Sequence, residues 1–186
     1  MEDNKIDINN LSTHPSKIFK FCPKCGSTKI SYDGIKKFQC SDCNFIFYIN
    51  AATATAVIIE LSDGRIILTQ RKFNPAKGKY DLPGGFVDLN ERVEEAAIRE
   101  VKEELNLDVS NIKFLASFPN IYEFSGITYF TCDIAFIAQC NDVHNLSAND
   151  DVQGYISIKP EEIDFDIISF ESIRNILRYY LKEKGY

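Results

Sequence analysis

At 186 residues, with 45% hydrophobic and 26% charged side chains, the chain has room for one full-sized domain and a small appendage. Its net charge of −6 argues against broad charge-driven binding to DNA or RNA, and its apolar runs are too short to span a bilayer. Six cysteines, with no signal-peptide-like apolar stretch near Met1, point to metal ligation or plain packing in a cytoplasmic protein rather than disulfides.

In chain order, residues 1–16 are polar and aperiodic, which predicts a flexible tail. His14 falls in it, and with two histidines in the whole chain a histidine-based metal site or triad has little support. Residues 17–49 read as a small β domain. Cys22 and Cys25 form one Cys-x-x-Cys pair, Cys40 and Cys43 a second, with fourteen residues between them. That is zinc-ribbon spacing, with each tight turn presenting two thiolates. Residues 28–32 and 36–39 then form a hairpin across Asp33-Gly34. So short a segment cannot bury a sufficient core, so the Zn²⁺ supplies its folding free energy. Four thiolates leave no open coordination position, which makes the site structural rather than catalytic. The ribbon carries Lys17, Lys20, Lys24, Lys29, Lys36 and Lys37 against Asp33 and Asp42. A zinc ion with four thiolates is formally −2, however, so a solvated surface is favoured over an RNA-facing patch.

Residues 50–186 form the second domain. A strand at 51–61 leads through a Ser-Asp-Gly turn into its partner, which ends near Arg71. Of Arg71, Lys72, Lys77 and Lys79, the best candidate to meet a phosphate is Arg71, at the end of an apolar strand. The run from Asp81 to Gly85 turns the chain close under the next element. That element is a helix over 90–105, capped by Asn90 and stopped by a left-handed Asn106. Along it Glu100, Glu103 and Glu104 share one stripe, beside a stripe of Ala97, Ile98, Val101 and Leu105 that should pack on the core. Three carboxylates on one face repel each other unless a cation sits on them, and carboxylate oxygens plus water are the ligand set of Mg²⁺ or Mn²⁺. Strands at 108–118 and 127–139 follow, with a turn at 124–126, then a polar loop at 147–151 and a strand through 158. A helix over 170–182, with Ile173, Ile176, Leu177 and Tyr180 inward, closes the chain. Cys132 and Cys140 read as packing residues.

The run Gly85, five residues, Glu91, seven residues, Arg99-Glu100-Val101-Lys102-Glu103-Glu104-Leu105-Asn106-Leu107 resembles the signature of the Nudix hydrolases. One fixed position departs: Asn106 stands where the pattern has glycine, and asparagine also suits a left-handed turn. The resemblance spans about residues 51–165. It implies an α/β fold: a Nudix-type α/β/α sandwich on a mixed sheet, with the signature helix on one face and the closing helix on another. It also implies hydrolysis of a nucleoside diphosphate linked to another group, by water attack on phosphorus with Mg²⁺ or Mn²⁺. By position, Glu100, Glu103, Glu104 and the Gly85 carbonyl hold the metal. Glu100 also orients or deprotonates the water, and Arg99 is the structural partner of Glu91. Family members often add a carboxylate from a later loop; Asp150 and Asp151 stand there, and Asp151 fits better. A zinc ribbon directly before such a domain is similar to the NADH pyrophosphatase subgroup, whose SQPWPF stretch corresponds to Ser117-Phe118-Pro119-Asn120-Ile121-Tyr122. Ser, Pro and a final aromatic persist, while Gln and Trp do not. Phe118 and Tyr122 can stack on a base or pack in the core. The expected substrate is an NADH-like dinucleotide, cut to NMNH and AMP, or ADP-ribose or FAD. The alternatives are removal of NAD caps from RNA and a non-catalytic nucleotide-sensing module. The subgroup also implies a homodimer.

Overall fold

The computed structural model describes residues 7–186 in two units, one made of residues up to 51 with 121–130, the other of 52–120 with 131–186.

In the first unit three short strands, β1 (Ile30–Tyr32), β2 (Lys37–Cys40) and β3 (Ile46–Tyr48), form an antiparallel sheet in the order β1-β2-β3. The Asp33 carboxylate closes the β1–β2 turn by accepting the N–H groups of Ile35, Lys36 and Lys37 at 2.8, 2.9 and 3.0 Å. Those bonds hold its carboxyl below the usual range. Phe38 is the buried centre, stacked on Phe47 at 4.7 Å and tilted against Tyr32 at 4.9 Å. The flexible tail expected over 1–16 differs from what residues 7–16 do; residues 1–6 lie outside the described residues. Asp7 caps a 3₁₀ turn at Ile8–Asn10, and Pro15 opens a short helix, α1 (Pro15–Ile18). His14 is buried between the rings of Tyr32 and Phe130, and its Nδ1 accepts the Ser16 N–H at 3.1 Å. Its aromatic partners lie far along the chain, which is why residue-by-residue polarity misreads this segment.

The second unit is built on a mixed sheet in the order β6-β5-β4-β8-β7, with β9 also paired to β5. Its strands are β4 (Ala52–Leu61), β5 (Ile66–Arg71), β6 (Tyr80–Asp81), β7 (Ser110–Phe124), β8 (Ile127–Cys140) and β9 (Val152–Ile158). Central β4 runs parallel to β8 from Ala52↔Thr131 to Leu61↔Cys140, and β5 runs antiparallel to β6 and β9. Ser125 and Gly126, at φ 50° and 75°, make the two-residue turn between β7 and β8 that suits the right-handed twist of paired strands.

Alternate residues of β4 point to opposite faces, so its apolar run feeds two cores. Val57 and Ile59 join Ala97, Val101 and Leu105 of helix α2 (Val93–Leu105). Ala56 and Ile58 join Ile173, Ile176, Leu177 and Tyr180 of helix α3 (Glu171–Lys184). The result is an α/β/α sandwich.

Two local expectations about α2 need correction. The helix begins at Val93, not Asn90; Asn90 takes φ 65° inside a turn in which the Glu91 N–H reaches Asp88 O and the Asp88 N–H reaches Glu91 Oε2. Arg92 is the N-cap, and the Glu95 carboxylate accepts its N–H at 3.1 Å. Ile98, expected on the core stripe, stays 42% exposed. At the other end Asn106 stops the helix at φ 53°.

Candidate active site and cysteine cluster

The Sγ atoms of Cys22, Cys25, Cys40 and Cys43 all lie within 4.8 Å of one another. Cys22 to Cys43 and Cys25 to Cys40 are each 3.7 Å apart, and all four thiols are free. A tetrahedron with metal–sulfur arms of about 2.3 Å has edges near 3.8 Å, whereas a disulfide would bring two sulfurs to about 2.05 Å. The donor set and its size therefore fit a tetrahedral thiophilic cation.

The second cluster forms where the β6–α2 turn passes beneath α2. Gly84 adopts φ +148°, and a Cβ there would lie 2.1 Å from the Thr55 carbonyl oxygen, so this approach to β4 requires glycine. Its N–H donates to Glu104 Oε2 at 3.1 Å. A Cβ on Gly85 would lie 2.5 Å from Glu100 Oε1. Two adjacent glycines thus let the backbone reach two carboxylates. The Gly85 carbonyl accepts the Thr55 N–H at 2.8 Å and, on its second lone pair, the Thr55 hydroxyl at a longer 3.4 Å.

Arg99 organises the outer part of the cluster. All five of its N–H groups are engaged: Nε and Nη2 grip Glu91 at 2.8 and 2.9 Å, Nη2 also reaches Phe86 O at 3.1 Å, and Nη1 donates to Glu100 at 2.8 Å and Glu103 at 3.0 Å. This bond to Arg99, with the Asp88 N–H, takes the Glu91 carboxyl down to about 2. Glu91 and Arg99 are therefore brought together, tying the loop to the helix.

The inner part crowds carboxyl groups together with few donors to offset them. Glu104 is buried, and burial, then the neighbouring Asp151 carboxylate, push its carboxyl well above the ordinary range. Burial also raises Glu100, against the pull of Arg99 and with the charges of Glu103 and Asp151 adding to the rise. Asp151 reaches Glu104 because its loop is laced across the end of α2: the Ser147 and Asn149 N–H groups donate to Leu105 O and Glu104 O at 3.1 and 2.9 Å. Asp150 instead sits at φ 52°, with its carbonyl taking the Lys72 ammonium at 3.0 Å. A cavity of about 20 Å³, the room of one water or bare cation, is lined by Glu104, Asp151, Asp81, Gly84, Thr69 and Arg71. Of its carboxylates Glu104 and Asp81 are buried, Asp81 pairs with Arg71 and Asp151 is exposed; Glu100, Glu103 and Gly85, expected around the metal, lie outside this lining.

Other residues expected at a site lie differently. Arg71 lines the cavity, but it donates from Nη1 to Asp81 at 3.0 Å and from Nε to Pro75 O at 2.9 Å, and its guanidinium lies 5.0 Å from the centre of the Phe170 ring. Phe118 packs on the α3-side core, edge-on to Tyr179 at 6.4 Å, and Tyr122 stacks on Phe124 at 6.3 Å in the first unit. Neither lines the cavity. Asp81 is the residue sequence reasoning passed over, read there only as the start of a turn. Its signal was an acid placed between an apolar strand and Leu-Pro-Gly-Gly. Burial lifts its carboxyl to about 6 against the opposing pull of Arg71.

The fold is thus a mixed-sheet α/β/α sandwich that sets a carboxylate-bearing helix against a double-glycine turn. The chain belongs to the NUDIX domain family, whose sequence profile matches residues 50–179. It is 32% identical over 122 residues to the NAD-capped RNA hydrolase NudC of Vibrio atlanticus, a match covering 66% of this chain and 45% of that protein. It is 40% identical over 127 residues to the mitochondrial NAD(P)H pyrophosphatase NUDT13 of Mus musculus, covering 63% and 35%. The chain thus spans about half the length, or less, of these relatives. A NUDIX hydrolase from Nitrosomonas europaea shares the fold at a TM-score of 0.69, with 24% identity over 90% of this chain and 93% of the other. Among the described residues no helix is long and apolar enough to cross a membrane.

Proposed function

We propose that the chain hydrolyses the pyrophosphate bond of a nucleoside diphosphate derivative, with an NADH-like dinucleotide as first substrate and ADP-ribose or FAD next. The observation that carries this reading is the buried Glu104 carboxylate set directly against Asp151, both lining a cation-sized cavity beside the double-glycine turn. Glu100, Glu103, Glu104 and the Gly85 carbonyl, whose longer bond from the Thr55 hydroxyl would have to yield, would hold Mg²⁺ or Mn²⁺. When bound, such a cation neutralises the two phosphates and lowers the pKa of a bound water. Glu100, already raised in proton affinity, and Asp151 orient the attacking water and take its proton. The water oxygen bonds to one phosphorus, the bridging P–O bond breaks, and two monophosphate products leave. Arg71, which lines the cavity, would meet the anion through Nη2, and Glu91–Arg99 keeps the loop on the helix. The four cysteines would hold Zn²⁺ as a structural centre, outside the chemistry.

NAD-capped RNA is a second substrate class, favoured by the name of the Vibrio relative. The test is a panel of NADH, NAD⁺, ADP-ribose, FAD, dinucleoside polyphosphates, NTPs and NAD-capped RNA with Mg²⁺ or Mn²⁺, products identified by mass. Glu103→Gln should cut turnover by about 100-fold or more while the chain still folds. Unchanged turnover in that variant defeats the site assignment. Tight nucleotide binding with no hydrolysis in the unaltered chain would instead indicate a sensing module.

A further inference from the structure

The connection between β5 and β6 concentrates positive charge. Residues 71–80 read RKFNPAKGKY, four cations and no acid, in a chain of net charge −6. The segment is tied at its base: the Arg71 N–H donates to Lys79 O at 3.0 Å, the Gly78 N–H to Arg71 O at 2.9 Å, and Gln70 Nε2 to Gly78 O at 3.0 Å. It is also fastened to the loop that carries Asp151. The Lys72 N–H donates to Asp151 O at 2.8 Å, and Lys72 Nζ to Asp150 O at 3.0 Å. Arg71, its first residue, lines the same cavity as Glu104 and Asp151.

On this loop Phe73 is 56% exposed, and the Lys72 ammonium lies 5.2 Å from its ring centre. Lys77 is exposed, with no hydrogen-bond or ion-pair partner among the described residues. A lone exposed phenylalanine is ordinary on most surfaces. Here the loop is tethered, its charge opposes that of the chain, and it is bonded both to the Asp150–Asp151 loop of the candidate site and, through Lys79 Nζ, to Asp166 O at 2.7 Å. The same ammonium that bonds the Asp151 loop also lies over the ring, which couples the ring's position to that of the carboxylates. A planar apolar face on a loop with an unpartnered lysine is what an aromatic base joined to phosphates recognises, because every base offers a π-face for stacking.

We propose that residues 72–79 form the specificity lip of the site: Phe73 stacks on the base of a nucleoside diphosphate derivative, and Lys77 meets one of its phosphates. This rests on the hydrolase reading above and adds the element that selects a base-bearing substrate over a bare diphosphate. The test compares Phe73→Ala, Phe73→Trp and Lys77→Ala, each measured two ways. One readout is the Kd for ADP-ribose by calorimetry in a Glu103→Gln background; the other is KM and kcat on the preferred panel substrate, with inorganic pyrophosphate as a base-free competitor. Phe73→Ala should raise Kd and KM roughly tenfold or more, with the loss falling on KM rather than kcat. Phe73→Trp should restore both, and the pyrophosphate inhibition constant should move only in Lys77→Ala. Unchanged Kd and KM in Phe73→Ala, or an equal loss for pyrophosphate, overturns the lip while leaving hydrolysis and its dependence on Glu103 intact. Should no panel member be hydrolysed, the hydrolase reading falls by itself; a tenfold loss in the calorimetric arm would still support the lip, and no loss would overturn it too.

Discussion

Gly84 and Gly85 are adjacent, yet alanine at each should fail for a different reason. At Gly84 the new Cβ would meet backbone, 2.1 Å from Thr55 O and 2.8 Å from Thr55 C, at φ +148°. Strand β4 must shift or the turn must open, a cost of about 3 kcal/mol or more and a fall in Tm of roughly 6 to 12 °C. At Gly85 the backbone accepts alanine, and the Cβ meets only the Glu100 carboxylate, at 2.5 to 2.7 Å. Ordinary contact begins near 3.4 Å, so the carboxylate must retreat by about 1 Å from a position fixed by its 2.8 Å bond to Arg99. A misplacement of that size costs on the order of 100-fold in kcat, or about 2.7 kcal/mol of barrier. The lost flexibility of the unfolded chain should keep the Tm of Gly85→Ala within a few degrees of the parent. The assay pairs thermal unfolding with Mg²⁺-dependent turnover of the best panel substrate. A Gly85→Ala chain that turns over at full rate, or melts as early as Gly84→Ala, would refute the claim that this glycine exists to admit the Glu100 carboxylate.

Asp81 makes stability depend on pH. Its carboxyl sits near 6 in the fold against an ordinary 3.8, raised by burial. A group raised on folding contributes its full stability below the unfolded value and loses it as pH climbs through the folded one. Urea unfolding in the presence of a chelator should therefore show a decline of about 3 kcal/mol between pH 3 and 7 that is absent from Asp81→Asn. Parallel pH profiles for the two chains would count against it. For the cysteine cluster, elemental analysis should find zinc in a one-to-one ratio with the chain, and Cys25→Ser should lower that content. Zinc removal should disorder the β1–β3 sheet first, visible as lost amide protection there before β4 and β8 exchange. Zinc-free protein with that sheet fully protected would disprove the structural role.

The charges of the candidate site are arranged in two tiers. Arg99 spends every donor on Glu91, Glu100, Glu103 and the Phe86 carbonyl, which screens the outer carboxylates. Glu104 lies out of its reach, with only the Gly84 N–H to offset burial and the Asp151 charge. That imbalance costs stability, and a divalent cation would relieve it.

The amino-acid sequence by itself determined whatever rests on short-range spacing. Two Cys-x-x-Cys turns, a stripe of glutamates three and four residues apart, and an Asn stop to α2 are consequences of covalent geometry and helical period. They are legible because every atom that matters lies within a few residues. Tertiary structure decided what depends on partners distant in the chain. It buried His14 between Tyr32 and Phe130, grouped residues 121–130 with the ribbon unit, and seated Phe118 on the α3-side core. It also set Asp151 rather than Asp150 against Glu104, and gave Arg71 to Asp81. Asn90 lost the helix cap for the same reason, since Glu91 had to serve both Arg99 and the Asp88 N–H, and that twisted the preceding residue into a turn. Burial and long-range ion pairing are sums over contacts that no local pattern encodes, and they decide which of several plausible acids and cations face the cavity.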